Sequence, residues 1–396
     1  MSFQSQFFRR VARTASKSSI IRQKATNAAT ESTSSASTAT TSEGVPVGLA
    51  LSAAGAGIAT VAGVSAAVEY GSASSVPTFD PNGQRFSQKN FSGRFCKMLL
   101  ACDPRLLLYS GEEVRHCQVM LKDYQNFPGQ DRALWEAKRI SEAALHPDTG
   151  EEIPRPFRMS GYVPFNGPVA VAMVASTSTV PLLFWSWVNQ SQNALVNYFN
   201  RNASSPMTNE TLAISYGAAV GSALVVAFGL ATAIQKKYPA DQAKRLMKYV
   251  AFPSAVVASS LNCYIVRSPE IKTGIPLLNQ DGQDVLAGET SKVAAQRGVN
   301  TTTASRAILQ APVYFLPPVL VSLGPIRKYL VKNPRMTVPI TTYLLLCSFG
   351  VGLPVTVAIF PQISEIDVND VEEKFQHLQD AKTGKPYQVF YYNKGL

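Results

Sequence analysis

Asn189, Asn193, Asn197 and Asn200 recur at steps of four, four and three. On a helix such steps fall on one face, so the four amides form a stripe. Gln190 and Arg201 lie in the same passage. Asparagine is a poor helix former, and a row of it beside apolar sequence needs a reason. Each amide both donates and accepts hydrogen bonds. That suits a zwitterion, whose carboxylate takes donors and whose ammonium takes acceptors. Arg201 is the candidate carboxylate partner, because a guanidinium is always charged and fork-shaped. The plainer alternative, amides satisfying loop backbone and helix ends, stays open on sequence grounds. Asn262, a polar residue within an apolar run, is a further candidate for lining a cavity; its alternative is an interhelical hydrogen bond.

The other chemistry-bearing residues read as structure. His146-Pro147-Asp148-Thr149-Gly150-Glu151 has the composition of a turn that ends a helix. Asp148 and Glu151 beside His146 have no nucleophile nearby in a recognisable arrangement, so acid–base catalysis is not indicated. Cys96, Cys102, Cys117, Cys263 and Cys347 form no CxxC pair, so neither a disulfide framework nor a zinc site is indicated. His116 next to Cys117 lacks further ligands at structural-site spacing. No phosphate-binding loop, dinucleotide fingerprint or serine-hydrolase elbow occurs. The chain is expected to be no enzyme, with no catalytic residues, no metal and no cofactor.

The elements that must carry the amide stripe are membrane helices. Of the 396 residues, 46% are hydrophobic and only 16% charged, against about 25% charged in soluble proteins. Apolar runs near 167–188, 213–234, 246–266, 308–324 and 338–360 each approach the ~20 residues a spanning helix needs. In lipid a helix is what satisfies their backbone. Pro181, Pro253, Pro312, Pro317, Pro318 and Pro354 interrupt these runs, as in transporters built on broken helices. The expected fold is an all-α polytopic membrane protein of about five transmembrane helices, preceded by short amphipathic helices. Those helices are read at 111–124, with Val114, Cys117, Met120 and Leu121 on one face, and at 131–145, with Leu134, Ala137, Ile140 and Ala144.

The organisation follows. Residues 1–44 hold a transit-like start and a Ser/Thr linker: six Arg or Lys precede the first acid, Glu31, as in a mitochondrial address. Residues 45–68 are a Gly/Ala-rich run that is either an extra span or a sorting segment. Residues 79–166 are a soluble segment, 167–361 a five-span domain, and 362–396 a tail. The formal charge of +11 sits at the N-terminus and in loops such as Lys236–Lys248 and Arg327–Arg335. It lacks the basic, aromatic-interleaved stripe of a nucleic-acid binder, so the expected surroundings are a bilayer and no nucleic acid. The Lys/Arg bias places those loops in the matrix, with the 79–166 segment beside them and the tail opposite.

Several passages closely resemble the sideroflexin family: Asp103-Pro104-Arg105, His146–Glu151, Arg158-Met159-Ser160, Trp185–Asn202, Asn262-Cys263, Gly274-Ile275-Pro276 and Tyr392–Leu396. The resemblance runs from about residue 79 to the end. It implies a five-span protein of the mitochondrial inner membrane, associated with transport of serine and similar small neutral amino acids, one-carbon metabolism and iron homeostasis. It also gives functional weight to His146–Glu151 and to the asparagine-rich passage. The transit-like start and the 45–68 run are not part of the family pattern. The alternative function is a scaffold or assembly factor that binds inner-membrane protein partners through the 111–145 surface.

Overall fold

The computed structural model describes residues 47–72, 76–146, 149–199, 209–280, 282–361, 363–380 and 384–394. The transit-like start, Pro147, Asp148, Asn200 and Arg201 lie outside the described residues, as does the side chain of Asn197. In chain order the helices are α1 (Val47–Gly71), α2 (Phe91–Ala101), α3 (Gly111–Lys122), α4 (Asp131–Ala144), α5 (Gly167–Ala175), α6 (Thr179–Phe199), α7 (Asn209–Lys237) and α8 (Ala240–Met247). They continue as α9 (Ala251–Thr273), α10 (Lys292–Gln310), α11 (Leu316–Ser322), α12 (Gly324–Lys332), α13 (Thr337–Cys347), α14 (Leu353–Ile359) and α15 (Glu373–Gln376). In the tail, strand β1 (Ile363–Asp367) pairs antiparallel with β2 (Val389–Asn393). Among the described residues five stretches are long and apolar enough to cross a bilayer: Gly48–Gly71, Ala213–Lys237, Ala240–Thr273, Lys292–Ser322 and Pro334–Ile359. The chain is an all-α polytopic membrane protein.

The two amphipathic helices form as expected. Ser110 caps α3 reciprocally with Glu113, and the faces predicted on α3 and α4 close on each other around Phe79 and Trp135. Cys117 lies in that core, where burial pushes its thiol up to about 12, so it is a packing residue at neutral pH.

The first expected span is not one helix. Asn166 Nδ2 donates to Asn193 Oδ1 at 3.4 Å, and Phe157 stacks on Phe199 at 4.8 Å. In a continuous helix Asn166 and Asn193 would stand about 40 Å apart. The chain therefore reverses between α5 and α6, making an antiparallel helical hairpin of residues 162–199. The cause is the hydroxyl run Ser176-Thr177-Ser178-Thr179: Ser176 turns extended and its hydroxyl bonds back to Ala172 O at 2.8 Å. Such residues offer the backbone an alternative to the helix, and a hydropathy window does not register it.

The Gly/Ala run left undecided by its composition is α1, and it packs on α13 and the turn after it. Val61 is fully buried. A Cβ added at Gly350 would stand 2.2 Å from Val61 Cγ2, and one added at Gly57 would stand 2.9 Å from Leu346 Cβ. Small residues serve close helix approach in membranes, which accounts for a composition that transfers poorly into lipid. Gly350→Ala is accordingly expected to destabilise the protein by ~1–3 kcal/mol through overpacking. Val61→Ala on the same background should recover most of it in a thermal-unfolding series.

At its far end α1 enters an ion network. Glu69 accepts from Arg105 at 2.9 Å and from Arg139 at 3.1 Å. Asp103, wholly buried, meets Arg105 at 2.6 Å and Arg139 at 3.4 Å. Burial opposes the Arg105 charge, but Asp103 and Glu69 outweigh it and raise its pKa.

The hairpin and α1 together change the expected topology. Arg94 on α2 donates to Ala358 O at 2.8 Å, so the 79–166 segment sits at the end of the bundle from which the tail leaves, not at the opposite end. The basic loops lie at the other end, where Tyr249 bonds Ser322 across 3.2 Å. The tail is clamped to α10: Glu372 accepts from Lys292 N at 2.7 Å and Val293 N at 3.2 Å. Partial burial raises the Glu372 pKa, but bonds from Ser291, Val293 and Lys292 outweigh it and leave it lowered. The clamp is thus complete above the unfolded carboxylate value of about 4.3 and is lost as pH falls through the lower folded value. Tail protection in hydrogen exchange should fall in that acid window, and Glu372→Gln should remove the pH dependence.

Candidate polar site between interrupted helices

Three π-turns interrupt the bundle: Tyr162–Asn166, Ala311–Phe315 and Ser348–Gly352. Each runs into a helix whose first two or three residues include proline: Pro168, Pro317 and Pro318, and Pro354. A proline lacks the N–H that the preceding turn needs, and the ladder widens there. The three turns meet. Tyr162 sets its ring edge-on to Phe349 with centroids 4.7 Å apart, and a Cβ on Gly352 would lie 2.6 Å from Pro312 Cβ.

The polar side chains converge where the turns meet. Asn189 is 1% exposed and accepts from the Tyr314 hydroxyl at 2.8 Å. Asn193 takes the bond from Asn166, the Tyr162 hydroxyl lies beside the Asn166 amide and near Arg306, and Tyr314 lies near Tyr162. Gln190 and Ser186 are buried on the same helix. Several of these groups are buried without a partner: Asn166 Oδ1, Ser186 Oγ and Arg306 Nε. Orphaned buried polar atoms are rare and call for an explanation.

Arg306 lies within α10 and makes no ion pair among the described residues. One turn earlier, Thr302 Oγ1 donates to Lys394 O at 2.9 Å and Arg267 donates to the same carbonyl, so the tail is seated against the helix that presents Arg306.

No described hydrogen bond ties Thr149, Gly150 or Glu151 to this cluster. The described residues of His146–Glu151 form a tight turn: His146 N donates to Glu151 O at 2.8 Å, Gly150 N to His146 O at 2.9 Å, and Gly150 has φ 70°, a conformation glycine adopts freely. The turn delivers Glu152 to Arg158, which donates to Glu152 Oε1 at 2.6 Å and to Ile153 O at 2.7 Å. Arg158 is nearly wholly buried, with Nη1 unpartnered, and Ser160 Oγ is likewise unpartnered. The described residues of the motif thus lead, through Glu152 and Arg158, into the segment before the Tyr162–Asn166 π-turn. Asn262 is half-buried on α9, and no described hydrogen bond ties it to the cluster. Asn197 shares α6, while Asn200 and Arg201 lie outside the described residues.

The sideroflexin profile matches residues 80–396. The chain belongs to the sideroflexin family. It is 37% identical to Sideroflexin-5 of Homo sapiens over 330 residues, covering 82% of this chain and 94% of that protein. It is 31% identical to Sideroflexin-1 of Mus musculus over 325 residues, 81% and 98% of the two chains, and 31% identical to a sideroflexin of Dictyostelium discoideum over 332 residues. No solved structure matches. The matched region of this sideroflexin includes every residue of the polar cluster and begins after α1, so Glu69 and Val61 lie outside the family profile while packing against residues inside it.

Proposed function

We propose that this sideroflexin is a secondary transporter of serine or a similar small neutral amino acid in the mitochondrial inner membrane, supporting one-carbon metabolism. The observation that carries this reading is a guanidinium without an acidic partner among the described residues, Arg306, near the buried Asn166 amide, whose Oδ1 is unpaired, where three π-turns meet. Intramembrane charge is costly and marks a substrate path more often than a strut. Among the described residues Arg306 takes the role expected of Arg201: its fork receives the carboxylate. The carbonyl oxygens of Asn166, Asn189 and Asn193 receive the ammonium, and Ser186 or Gln190 bonds a small side-chain hydroxyl. No acidic side chain joins the cluster among the described residues, so the ammonium meets dipoles rather than a charge. With the basic loops in the matrix, the 79–166 segment and the tail face the intermembrane space.

The test is uptake of labelled L-serine by the purified protein in liposomes, with unlabelled serine, alanine, glycine and citrate as competitors. Saturable uptake is expected, blocked by the three amino acids and not by citrate. Asn189→Ala and Asn193→Ala should each lower it about tenfold, the loss of one hydrogen bond to a charged group. No uptake above empty liposomes from folded, inserted protein would sink the proposal. It would leave the scaffold reading, in which the 111–145 surface binds inner-membrane partners.

A further inference from the structure

A second polar site lies in the 79–166 segment, away from the interrupted helices. A cavity of about 150 Å³ opens among α2, α4 and the chain before α2, with Arg85, Lys97, Lys138 and Arg139 in its wall and Glu142 as the acidic residue of the lining. Phe86 and Trp135 add flat apolar walls.

The four cations are not equally committed. Arg139 is held by Glu69 and Asp103, and yet its Nε–H is buried without a partner. Lys138 is held by Pro81 O and Gly83 O at 2.7 and 2.8 Å and stands 3.9 Å from Glu142. Arg85 bonds the neutral Ser72 hydroxyl at 3.1 Å. Lys97 makes no hydrogen bond among the described residues. Arg85 and Lys97 are therefore the two cations of the wall that make no ion pair among the described residues. Partial burial lowers the pKa of both; Glu69 attracts Arg85 while Arg139 and Arg132 repel it, and Glu142 attracts Lys97 while Lys138 repels it. An arrangement of this kind is stabilised by a bound anion.

We infer that this cavity is a phosphate-binding site. A phosphate monoester carries about −1.5 to −2 charges at pH 7 with three strong acceptor oxygens, which matches two cations without an ion pair and an unpaired guanidinium N–H. The aromatic walls and Leu100 suit the organic part of a phosphorylated molecule. Its source is a free phosphate compound or the headgroup of an anionic lipid. The second is in reach, because α2 packs on the last turn of α14 where the chain leaves the membrane, and basic pockets at that level bind such headgroups. The site also adjoins the transport machinery: Met159, between the buried Arg158 and Ser160, is part of its wall.

The experiment uses the full chain in detergent and in nanodiscs. Inorganic phosphate is titrated calorimetrically at constant ionic strength, with chloride as the exchanged anion. Phosphatidylcholine discs with and without cardiolipin are compared by thermal unfolding. Lys97→Glu and Arg85→Gln are the variants; Lys97 is exposed, so its replacement spares the fold. Saturable phosphate binding, weakened about tenfold or more by either variant, supports the site and identifies a free phosphate compound. A cardiolipin-dependent rise in unfolding temperature that the variants abolish supports it and identifies a headgroup. Absence of both effects, or effects of equal size in wild type and in both folded variants, overturns the inference.

Discussion

Arg306→Gln is expected to reduce serine uptake on the order of 100-fold while leaving the unfolding temperature unchanged or higher. The two parts of this result have one origin. A guanidinium in a membrane helix gives up hydration; this one is half-buried, with no acidic partner among the described residues and a buried, unpaired Nε. Removing it relieves a cost rather than breaking a bond in the empty protein. In the proposed loaded state the same group would make charge-assisted bonds to the substrate carboxylate, worth ~1.5–3 kcal/mol each. Arg306→Lys keeps the charge and loses the fork, so it should fall between wild type and Arg306→Gln. A structural arginine behaves in the opposite way, with Arg306→Gln lowering the unfolding temperature and the surviving folded fraction transporting normally. Uptake and thermal unfolding measured on one preparation separate the two.

Arg306 was hidden in the sequence by the polarity of its own helix. The apolar window began only at residue 308, and the preceding Lys292–Arg306 reads as loop because of its Thr, Asn, Gln and Arg content. A signal was present: Ala294, Ala295, Gly298, Thr302, Ser305 and Leu309 recur at helical spacing, and all are buried. Polar and small residues fit there because Gly298 and Thr302 face the tail strand rather than lipid. The spans at 213–234, 246–266 and 338–360 were legible because each is apolar over a stretch long enough to cross a bilayer. The amide stripe was legible at Asn189 and Asn193, where regular spacing betrays a face. Asn166, which completes it, lies on the other arm of the hairpin, and only a chain reversal brings it across. The Gly/Ala run could be read either way, since hydropathy measures transfer into lipid whereas Gly57 and Val61 meet protein.

The second large effect is on stability and concerns residues remote from the polar cluster. Asp103→Ala is expected to cost ~3–5 kcal/mol, the penalty for removing one partner from a buried ion pair. Asp103 is inaccessible to solvent, neutralises Arg105 and Arg139 at once, and also accepts from Arg105 N at 3.0 Å. Without it both guanidinium groups depend on Glu69 alone. Glu69→Ala should be costly for the same reason, but less so, because Glu69 is partly exposed. Since the two acids share the same arginines, the double variant should depart from additivity. The departure can be measured as a coupling energy from chemical unfolding in detergent. Glu69 belongs to α1, so a large coupling would mean that a helix outside the family profile is bound into the family core through Asp103-Pro104-Arg105. Losses below ~1 kcal/mol for both single variants, the range of exposed pairs, would mean that α1 is held by the Val61–Gly350 contact and not by charge.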